Sequence, residues 1–331
     1  MSTEADPSQV LLTLTTGYWV SRCLHVAAEL GVADALGEEP QTAEALAPSL
    51  GVQAQPLGRV LRCLANHGVF EMKGDRFAHN GASRLLAADA RPSLRSLVRM
   101  MGLRAHWDAY GELEHSVRTG APGIVAAVGG DFFDYMATHP DHARIFDEAM
   151  TGKSLGQIGG VLGAYDFSGF KTIGDIGGGA GHLLAAVLGA APDAEGVLFD
   201  LPAVVARAAE APHPRIRYVG GDFFSDPIPV CDAYLLMTVL HDWSDAEVAQ
   251  ILAQIKRAAP AGAKLLLIEA VIGLNDGFDF GKDLDIEMLA MTTGRERTAE
   301  EWKTVLAAGG WRLARVIPTR AMSAVIEAEP A

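Results

Sequence analysis

The sequence predicts an α/β protein in which a doubly wound parallel sheet follows a smaller, mainly helical winged-helix domain. At 331 residues the chain is too long for one typical domain. Beyond Tyr165 it alternates strand-like and helix-like segments, the pattern of a parallel sheet with helices on both faces. Residues 42–78 instead contain two short helical segments and a hairpin. We therefore predict two domains, at residues 1–100 and 101–331.

The N-terminal domain begins with apolar residues all round a helical spacing over residues 8–36, more than one outward-facing helix would show. Such a helix is expected to be buried, and a partner chain is one candidate to cover it. Thr42 is placed to cap a second helix, and a third apolar helix spans about 56–66. Alternating residues around Gly74-Asp75 predict a β-hairpin. Helix, turn, helix and hairpin in this order indicate a winged helix.

The rest of the chain divides into a helical connector and the sheet. Helical periodicity returns over residues 93–165, interrupted by glycines between 120 and 130 and by Pro140, and we expect a connector with a lid here. Beyond it, five apolar segments are strand candidates, with helical stretches between the first several: KTIGDIG, GVLFD, IRYVGGD, AYLLMTV and AKLLLIEAVI.

Composition and charge exclude several classes of function. The net charge of −14 disfavours binding to nucleic acid or to anionic lipid surfaces. No apolar run reaches the roughly 18 residues that a membrane helix needs, and MSTEADPSQ lacks a signal-peptide pattern. We expect a cytoplasmic protein. The three cysteines form no CxxC pair, so we predict free thiols and no structural zinc site.

A glycine-rich loop follows the first strand of the predicted sheet. Asp175 to Gly181 reads DIGGGAG between a strand and a helix, where backbone N–H groups meet nucleotide-like ligands. Its spacing is G-x-G-x-G, whereas a dinucleotide fingerprint would need glycine in place of His182. A nicotinamide-dependent oxidoreductase is therefore disfavoured, although it stays among the alternatives.

Acidic residues follow the next two strands. Asp200 ends the second strand, where a carboxylate can accept the hydroxyl protons of a ribose. Asp222 and Phe223 end the third, offering a carboxylate to an exocyclic amine and an aromatic face to a purine. Taken singly, the loop could be a tight turn and the acids helix caps. In ordered combination they predict an adenosine-binding site.

The run LLMTVLHDWSD makes the assignment specific. With DIGGGAG, FDLP, GGDFF and GRERT, it resembles the metal-independent small-molecule O-methyltransferases typified by plant caffeate and isoflavone enzymes and by bacterial polyketide and phenazine tailoring enzymes. The resemblance covers most of the chain. It implies a Rossmann-like methyltransferase sheet, S-adenosyl-L-methionine as cofactor, no metal, a small aromatic hydroxylated substrate, and a homodimer formed through the N-terminal domain.

The resemblance also implies roles for individual residues. Those expected to contact the cofactor are Gly177, Gly179, Asp200, Leu201, Asp222, Phe223 and Met237. His241 matches the catalytic base, flanked by Glu269 and Glu296. Those expected to line the acceptor pocket are Phe146, Met150, Asp242 and Met291. Plant members often have Lys at the position of Met237 and Asn at that of Met291, so the acceptor is not predicted.

The chemistry explains why these groups are needed. A phenol with a pKa near 10 is mostly protonated at neutral pH, and a neutral imidazole at His241 can take its proton as the oxygen attacks a sulfonium methyl. A carboxylate on the other ring nitrogen would fix the tautomer and stabilise the imidazolium. Either Glu269 or Glu296 could supply it.

Two other functions are compatible with parts of the pattern. The same fold and cofactor could serve a non-methylating tailoring reaction such as hydroxylation, although His241 and both acids favour methylation. A winged-helix, ligand-sensing DNA-binding regulator is the alternative of a different class. Its candidate recognition helix has Arg59 and Arg62, but the leucines beside them are typical of a packing helix.

Overall fold

The computed structural model describes residues 6–331, which form two compact units. One unit contains the chain up to Trp107 together with Met136–Lys153. The other contains Asp108–Tyr135 and Ser154–Ala331. Across the described residues, every helix is too short or too polar to span a bilayer.

The first unit opens with helices and a small sheet. Its elements are α1 Pro7–Leu30, α2 Val32–Leu36, β1 Gln41–Thr42, α3 Ala43–Leu50, α4 Ala54–Asn66, β2 Glu71–Lys73, β3 Arg76–Ala78, α5 Gly81–Arg84 and α6 Arg95–Met101. The single helix expected over residues 8–36 is wrong. Gly31 has a left-handed φ of 70°, which ends α1 and starts α2.

The predicted winged helix is present. The Thr42 side chain accepts from the Ala45 N–H and caps α3, and α4 follows after a short turn. β2 and β3 form the predicted antiparallel hairpin around Gly74, whose φ is 64°, and β1 pairs with β3. Leu36, Leu61 and other apolar side chains of α1 to α4 form the core beneath them.

The first helix has a large apolar surface in the single chain. Leu11, Leu14 and Tyr18 are 67%, 72% and 57% exposed and recur at the spacing of one helix face. Within one chain, the N-terminal half of this helix is therefore not buried as expected. Its buried side chains lie toward the C-terminal end, at His25, Ala27 and Ala28.

The middle of the chain is helical, as predicted. Its helices are α7 Arg104–Gly111, α8 Leu113–Thr119, α9 Gly123–Val128, α10 Phe132–Thr138 and α11 Pro140–Ala164. Pro140 does not interrupt a helix, because it occupies the first position of α11, where the missing N–H has no cost.

The second unit is built on a seven-stranded sheet. Its remaining elements are β4 Thr172–Ile176, α12 His182–Ala190, β5 Glu195–Asp200, α13 Pro202–Ala208, β6 Ile216–Gly220, β7 Ala233–Met237, a 3₁₀ turn Leu240–Asp242, α14 Asp245–Ala258, β8 Lys264–Glu269, α15 Phe280–Met291, α16 Ala299–Ala308, β9 Trp311–Pro318 and β10 Ala324–Pro330.

Strand order explains where a ligand can bind. The order is β6-β5-β4-β7-β8-β10-β9, and the five predicted strands β4 to β8 pair in parallel. Chain order reverses direction between β4 and β7, which leaves a crevice beyond their carboxyl ends. The predicted parallel sheet is therefore present, and two strands that were not predicted extend it: β10 pairs antiparallel with both β8 and β9.

Helices cover both faces of the sheet, as a doubly wound fold requires. Along β7, Tyr234 and Leu236 pack in a cluster that includes side chains of α14 and α16. Leu235 points to the opposite face and packs in a cluster that includes side chains of α11 and α12. Because both faces are buried, the central strands are continuous apolar runs rather than alternating ones.

Candidate active site

The glycine loop turns sharply between β4 and α12. Gly177 and Gly179 have φ values of 70° and 57°, a left-handed conformation that other residues adopt only with strain. The Gly177 N–H donates to the Phe199 carbonyl at 2.8 Å, which fastens the loop to the end of β5. The loop backbone is therefore fixed in a shape that glycine permits.

The loop leaves room for a ligand and meets the ends of neighbouring strands. A Cβ atom at Gly179 would have no atom within 4 Å, so the space above it is open. At Gly177 it would lie 3.1 Å from Val239 and 3.7 Å from Phe223. The segments after β4, β6 and β7 thus converge, which is the arrangement that an adenosine cofactor needs.

The two carboxylates predicted to bind ribose and adenine also make hydrogen bonds within the protein. Asp200 accepts from the Gly179 N–H at 2.8 Å and the Leu201 N–H at 2.7 Å. Asp222 accepts from the Phe224 N–H at 2.9 Å and from the Ser225 hydroxyl at 3.2 Å. An ionised carboxylate has about four acceptor positions, so each can hold its turn and still accept from a ligand.

Aromatic side chains surround this end of the sheet. The Phe223 ring meets Trp243 edge-on with centroids 5.8 Å apart, and Phe133 stacks on Trp243 at 5.8 Å. Leu201 is more than half exposed, and Met237 ends β7 half-buried. These residues offer apolar surface beside the glycine loop for a purine or an aromatic acceptor.

A buried acid below the loop was not predicted. Asp175 is 1% exposed, and burial together with the neighbouring Asp200 carboxylate raises its pKa to about 7. A Cβ at Gly178 would lie 2.6 Å from the Asp175 carboxyl carbon and 2.5 Å from Leu198 Cδ1. Close packing against these two side chains therefore requires glycine at this position, whereas Gly177 and Gly179 have positive φ values.

His241 lies in the 3₁₀ turn that follows β7 and is 4% exposed. Its Nδ1 and the Glu296 Oε1 are 2.7 Å apart, whereas Glu269 Oε2 is 3.9 Å from the same nitrogen. Glu296 therefore makes the direct hydrogen bond, which answers the question that the sequence left open. When Nδ1 donates to Glu296, Nε2 carries the lone pair that can take a proton.

Glu269 acts on the backbone of the same turn. Its Oε1 accepts from the N–H groups of Val239 at 3.0 Å and Leu240 at 2.9 Å. Burial raises the pKa of Glu269 from 4.5 to about 7. Thr238 precedes these two residues with a positive φ of 51°, a conformation that costs free energy and is maintained by the surrounding contacts.

The side chains of His241, Glu269 and Glu296 lie close enough together to be considered as ligands of a metal ion. Their candidate ligand atoms are within 4.8 Å of one another. Two ligands of one tetrahedral zinc ion would be roughly 3.4 Å apart. The 2.7 Å between Nδ1 and Oε1 is instead a hydrogen-bond distance. The geometry thus favours a carboxylate that orients an imidazole.

The four predicted acceptor-pocket residues are divided between the two units. In the sheet unit, Met291 is buried at the end of α15, and Asp242 Oδ1 is 3.7 Å from His241 Nε2. In the other unit, Phe146 and Met150 pack against Met100 and the apolar residues beside it. Their shared role in one pocket remains a prediction.

Gly294 was not predicted and packs against the histidine turn. A Cβ there would overlap the His241 carbonyl oxygen and lie 2.5 Å from the Trp243 nitrogen. The signal was present in the sequence, since GRERT begins with this glycine. Glycine is required at this position because the backbone of a segment about fifty residues earlier in the chain lies against it.

The Gly294→Ala variant is expected to lose about 1 to 3 kcal/mol of unfolding free energy, because the added methyl must displace backbone. Gly159→Ala is the control, since Gly159 is an exposed helical residue where an added methyl would have no atom within 4 Å. The Gly159→Ala variant should gain roughly 0.5 to 1 kcal/mol of unfolding free energy, because alanine favours the helix more than glycine does. Urea unfolding of both variants checks this, and equal stabilities would contradict the contact.

The Glu269→Gln variant is expected to gain stability relative to the wild type as pH rises from 4.5 to about 7. Over this range the carboxyl ionises in the unfolded chain, whereas the buried carboxyl keeps its proton until about pH 7. The free energy of unfolding of the wild type therefore falls as pH rises, whereas glutamine does not titrate. Urea midpoints at stepped pH measure the difference. Glu300→Gln controls for the loss of one exposed carboxylate. A difference in urea midpoint between Glu269→Gln and the wild type that does not change with pH would refute the expectation.

The sequence matches two known protein families along its length. Residues 12–89 match the O-methyltransferase dimerisation domain, and residues 110–312 match the O-methyltransferase domain. The chain is 41% identical to a phenazine O-methyltransferase of Lysobacter antibioticus, covering 98% of this chain and 96% of that protein. It is 37% identical to a mitomycin biosynthesis 6-O-methyltransferase of Streptomyces lavendulae, with 95% and 92% covered.

A solved structure extends the similarity to the fold. Human N-acetylserotonin methyltransferase in complex with S-adenosylmethionine superposes with a TM-score of 0.91 at 28% identity, covering 100% of this chain and 99% of that chain. With both domains matched in order and the sheet and glycine loop in place, the chain belongs to the family of S-adenosylmethionine-dependent O-methyltransferases.

Proposed function

We propose that this enzyme methylates a phenolic hydroxyl of a small aromatic natural product, with His241 as general base. The observation that carries the proposal is the buried hydrogen bond of 2.7 Å between His241 Nδ1 and Glu296 Oε1. The two relatives above act on a phenazine and in mitomycin biosynthesis, as their names state. Both support an aromatic natural product as the acceptor.

The residues that would hold the cofactor follow from the strand ends. We infer that Gly177 and Gly179 face its methionine part, Asp200 its ribose, and Asp222 and Phe223 its adenine. Leu201 and Met237 would pack beside them: Leu201 is partly exposed, and Met237 ends β7. When bound, the sulfonium supplies an electrophilic methyl group, so the protein must align the acceptor oxygen and remove its proton.

The proton transfer uses this chain's own groups. Nε2 of His241 would accept the hydroxyl proton while the acceptor oxygen takes the methyl group, and the ring would become an imidazolium. The methyl–sulfur bond would break in the same step and leave a neutral thioether. The Glu296 carboxylate stabilises that positive charge through the Nδ1 hydrogen bond. In this scheme Glu269 contributes by holding the N–H groups of Val239 and Leu240, rather than by direct contact with Nδ1.

The acceptor pocket is proposed from residue chemistry. Phe146, Met150 and Met291 offer apolar and polarizable surface suited to a flat ring, and Asp242 offers a polar group close to His241. We propose that they line the pocket, and that the helical connector belongs with the catalytic domain from residue 101 onward.

We also propose that the enzyme is a homodimer joined through its N-terminal domain, acts in the cytoplasm, and binds neither nucleic acid nor membranes. The match of residues 12–89 to a dimerisation domain and the apolar surface of α1 support the dimer. The net charge of −14 supports the absence of anionic partners.

Replacing His241 by Asn is expected to lower kcat for a phenolic acceptor about 10²- to 10⁴-fold, because the general base is lost. Affinity for S-adenosylhomocysteine should remain, since the strand-end acids are intact. Transfer of labelled methyl to a phenol library gives the rate, and calorimetry gives the affinity. His67→Asn, at an exposed position, is the control. An active His241→Asn variant would rule out the base, and hydroxylated rather than methylated product would favour the redirected chemistry.

Replacing Leu14 by Asp is expected to shift the enzyme from dimer to monomer in light scattering, because a charge would enter the buried interface. Thr13→Asp places the same charge on the adjacent exposed residue, which points away from the face of Leu11, Leu14 and Tyr18. It should leave the mass unchanged. A Leu14→Asp protein that remains dimeric would locate the interface elsewhere.

A further inference from the structure

Arg297 is the one arginine or lysine among residues 6–331 that is buried, with no exposed surface. A buried guanidinium needs partners for its donors. Its Nε donates to Asp245 Oδ1 at 2.9 Å, Nη2 to the Trp243 carbonyl at 2.8 Å, and Nη1 to the Leu240 carbonyl at 3.2 Å. Its guanidinium carbon is 5.1 Å from the centre of the Trp302 ring.

Arg297 donates to three carbonyls in all. That of Arg295, 3.1 Å from Nη1, lies in its own segment, and the other two lie on either side of His241. Leu240 precedes the histidine, and Trp243 follows it by two residues. Glu269 holds N–H groups at the beginning of the same turn. Glu269 thus accepts from two N–H groups at the beginning of the turn, and Arg297 donates to one carbonyl before His241 and one after it.

Arg297 is also joined covalently to Glu296. The residue that orients the imidazole and the residue that fixes the imidazole's backbone are consecutive in the chain. A displacement of this segment would move both. Loss of the guanidinium would free the turn, whereas Glu296 would keep the hydrogen bond that its N–H donates to Asp285 at 2.8 Å. The imidazole would then lose its alignment with the carboxylate.

We propose that Arg297 is a positioning residue for methyl transfer: its guanidinium holds the Leu240–Asp242 turn so that His241 meets both Glu296 and the acceptor. The proposal rests on the proposed function of His241 as base. Lysine could not replace it, because one ammonium cannot span Asp245 and two carbonyls that the planar fork of arginine reaches together.

The chain provides a matched control two residues earlier. Arg295 belongs to the same segment and also binds Asp245, through Nη2 at 2.9 Å. Its other carboxylate partner is Glu301, and its side chain is 42% exposed. Arg295→Met therefore removes an arginine from the same ionic cluster without removing a donor to the carbonyls around His241.

The test compares Arg297→Lys, Arg297→Met and Arg295→Met, each assayed well below its unfolding temperature. We expect kcat to fall on the order of 10-fold for Arg297→Lys and about 10²-fold for Arg297→Met, with calorimetric affinity for S-adenosylhomocysteine retained. Arg295→Met should keep the wild-type kcat. If Arg297→Met fails to fold, Arg297→Lys provides the comparison.

A double-variant cycle separates positioning from general damage. In a His241→Asn background, Arg297→Lys should cause no further loss of the residual rate, because the group that it positions is absent. Three outcomes would each overturn the proposal. The rate losses of the two single variants could multiply in the double variant, kcat could be unchanged in Arg297→Lys, or Arg295→Met could lose as much kcat as Arg297→Met. An active His241→Asn single variant would instead reject the base itself, so the two failures are distinguishable.

Discussion

The hydrogen bond between His241 Nδ1 and Glu296 Oε1 is the interaction on which the rest of the site depends. It joins residues 55 positions apart, both nearly or fully buried. A buried polar group without its partner costs more than the bond itself contributes, so the surrounding structure must keep the pair together. The backbone contacts of Glu269 and the tight packing of Gly294 serve that requirement.

Sheet topology brings this pair to the cofactor loop. Because β4 and β7 are parallel neighbours, the glycine loop and the histidine turn leave the same edge of the sheet side by side. Val239 lies beside Gly177, and its N–H donates to Glu269, so one residue links the glycine loop to the turn that contains the proposed base. Strand order thus brings the loop and the turn together.

The electrostatics of the site suit a positively charged donor. Asp175, Asp200 and Glu269 lie at or near the ends of central strands. Glu296 is hydrogen-bonded to His241 in the turn after β7. Burial raises the pKa of Asp175 and of Glu269 to about 7, so part of this negative charge is neutralised by protons. Arg297 adds a buried positive charge beside the histidine turn, where it is paired with Asp245.

Features that depend on local pattern were predictable from the amino-acid sequence. Five apolar strands, the capped helices and hairpin of the winged helix, the glycine loop and the HDW and GRERT motifs could be predicted, because side-chain periodicity and turn chemistry act over a few residues. Three features became evident only in the folded structure. Glu296 rather than Glu269 binds Nδ1 of His241, and Arg297 binds carbonyls on both sides of that histidine. Strand β10 enters the sheet antiparallel, with Glu327 buried against Lys264 and Arg315. Each of these depends on distances between segments far apart in the chain, and a charged residue in a strand is acceptable only when such a partner is present.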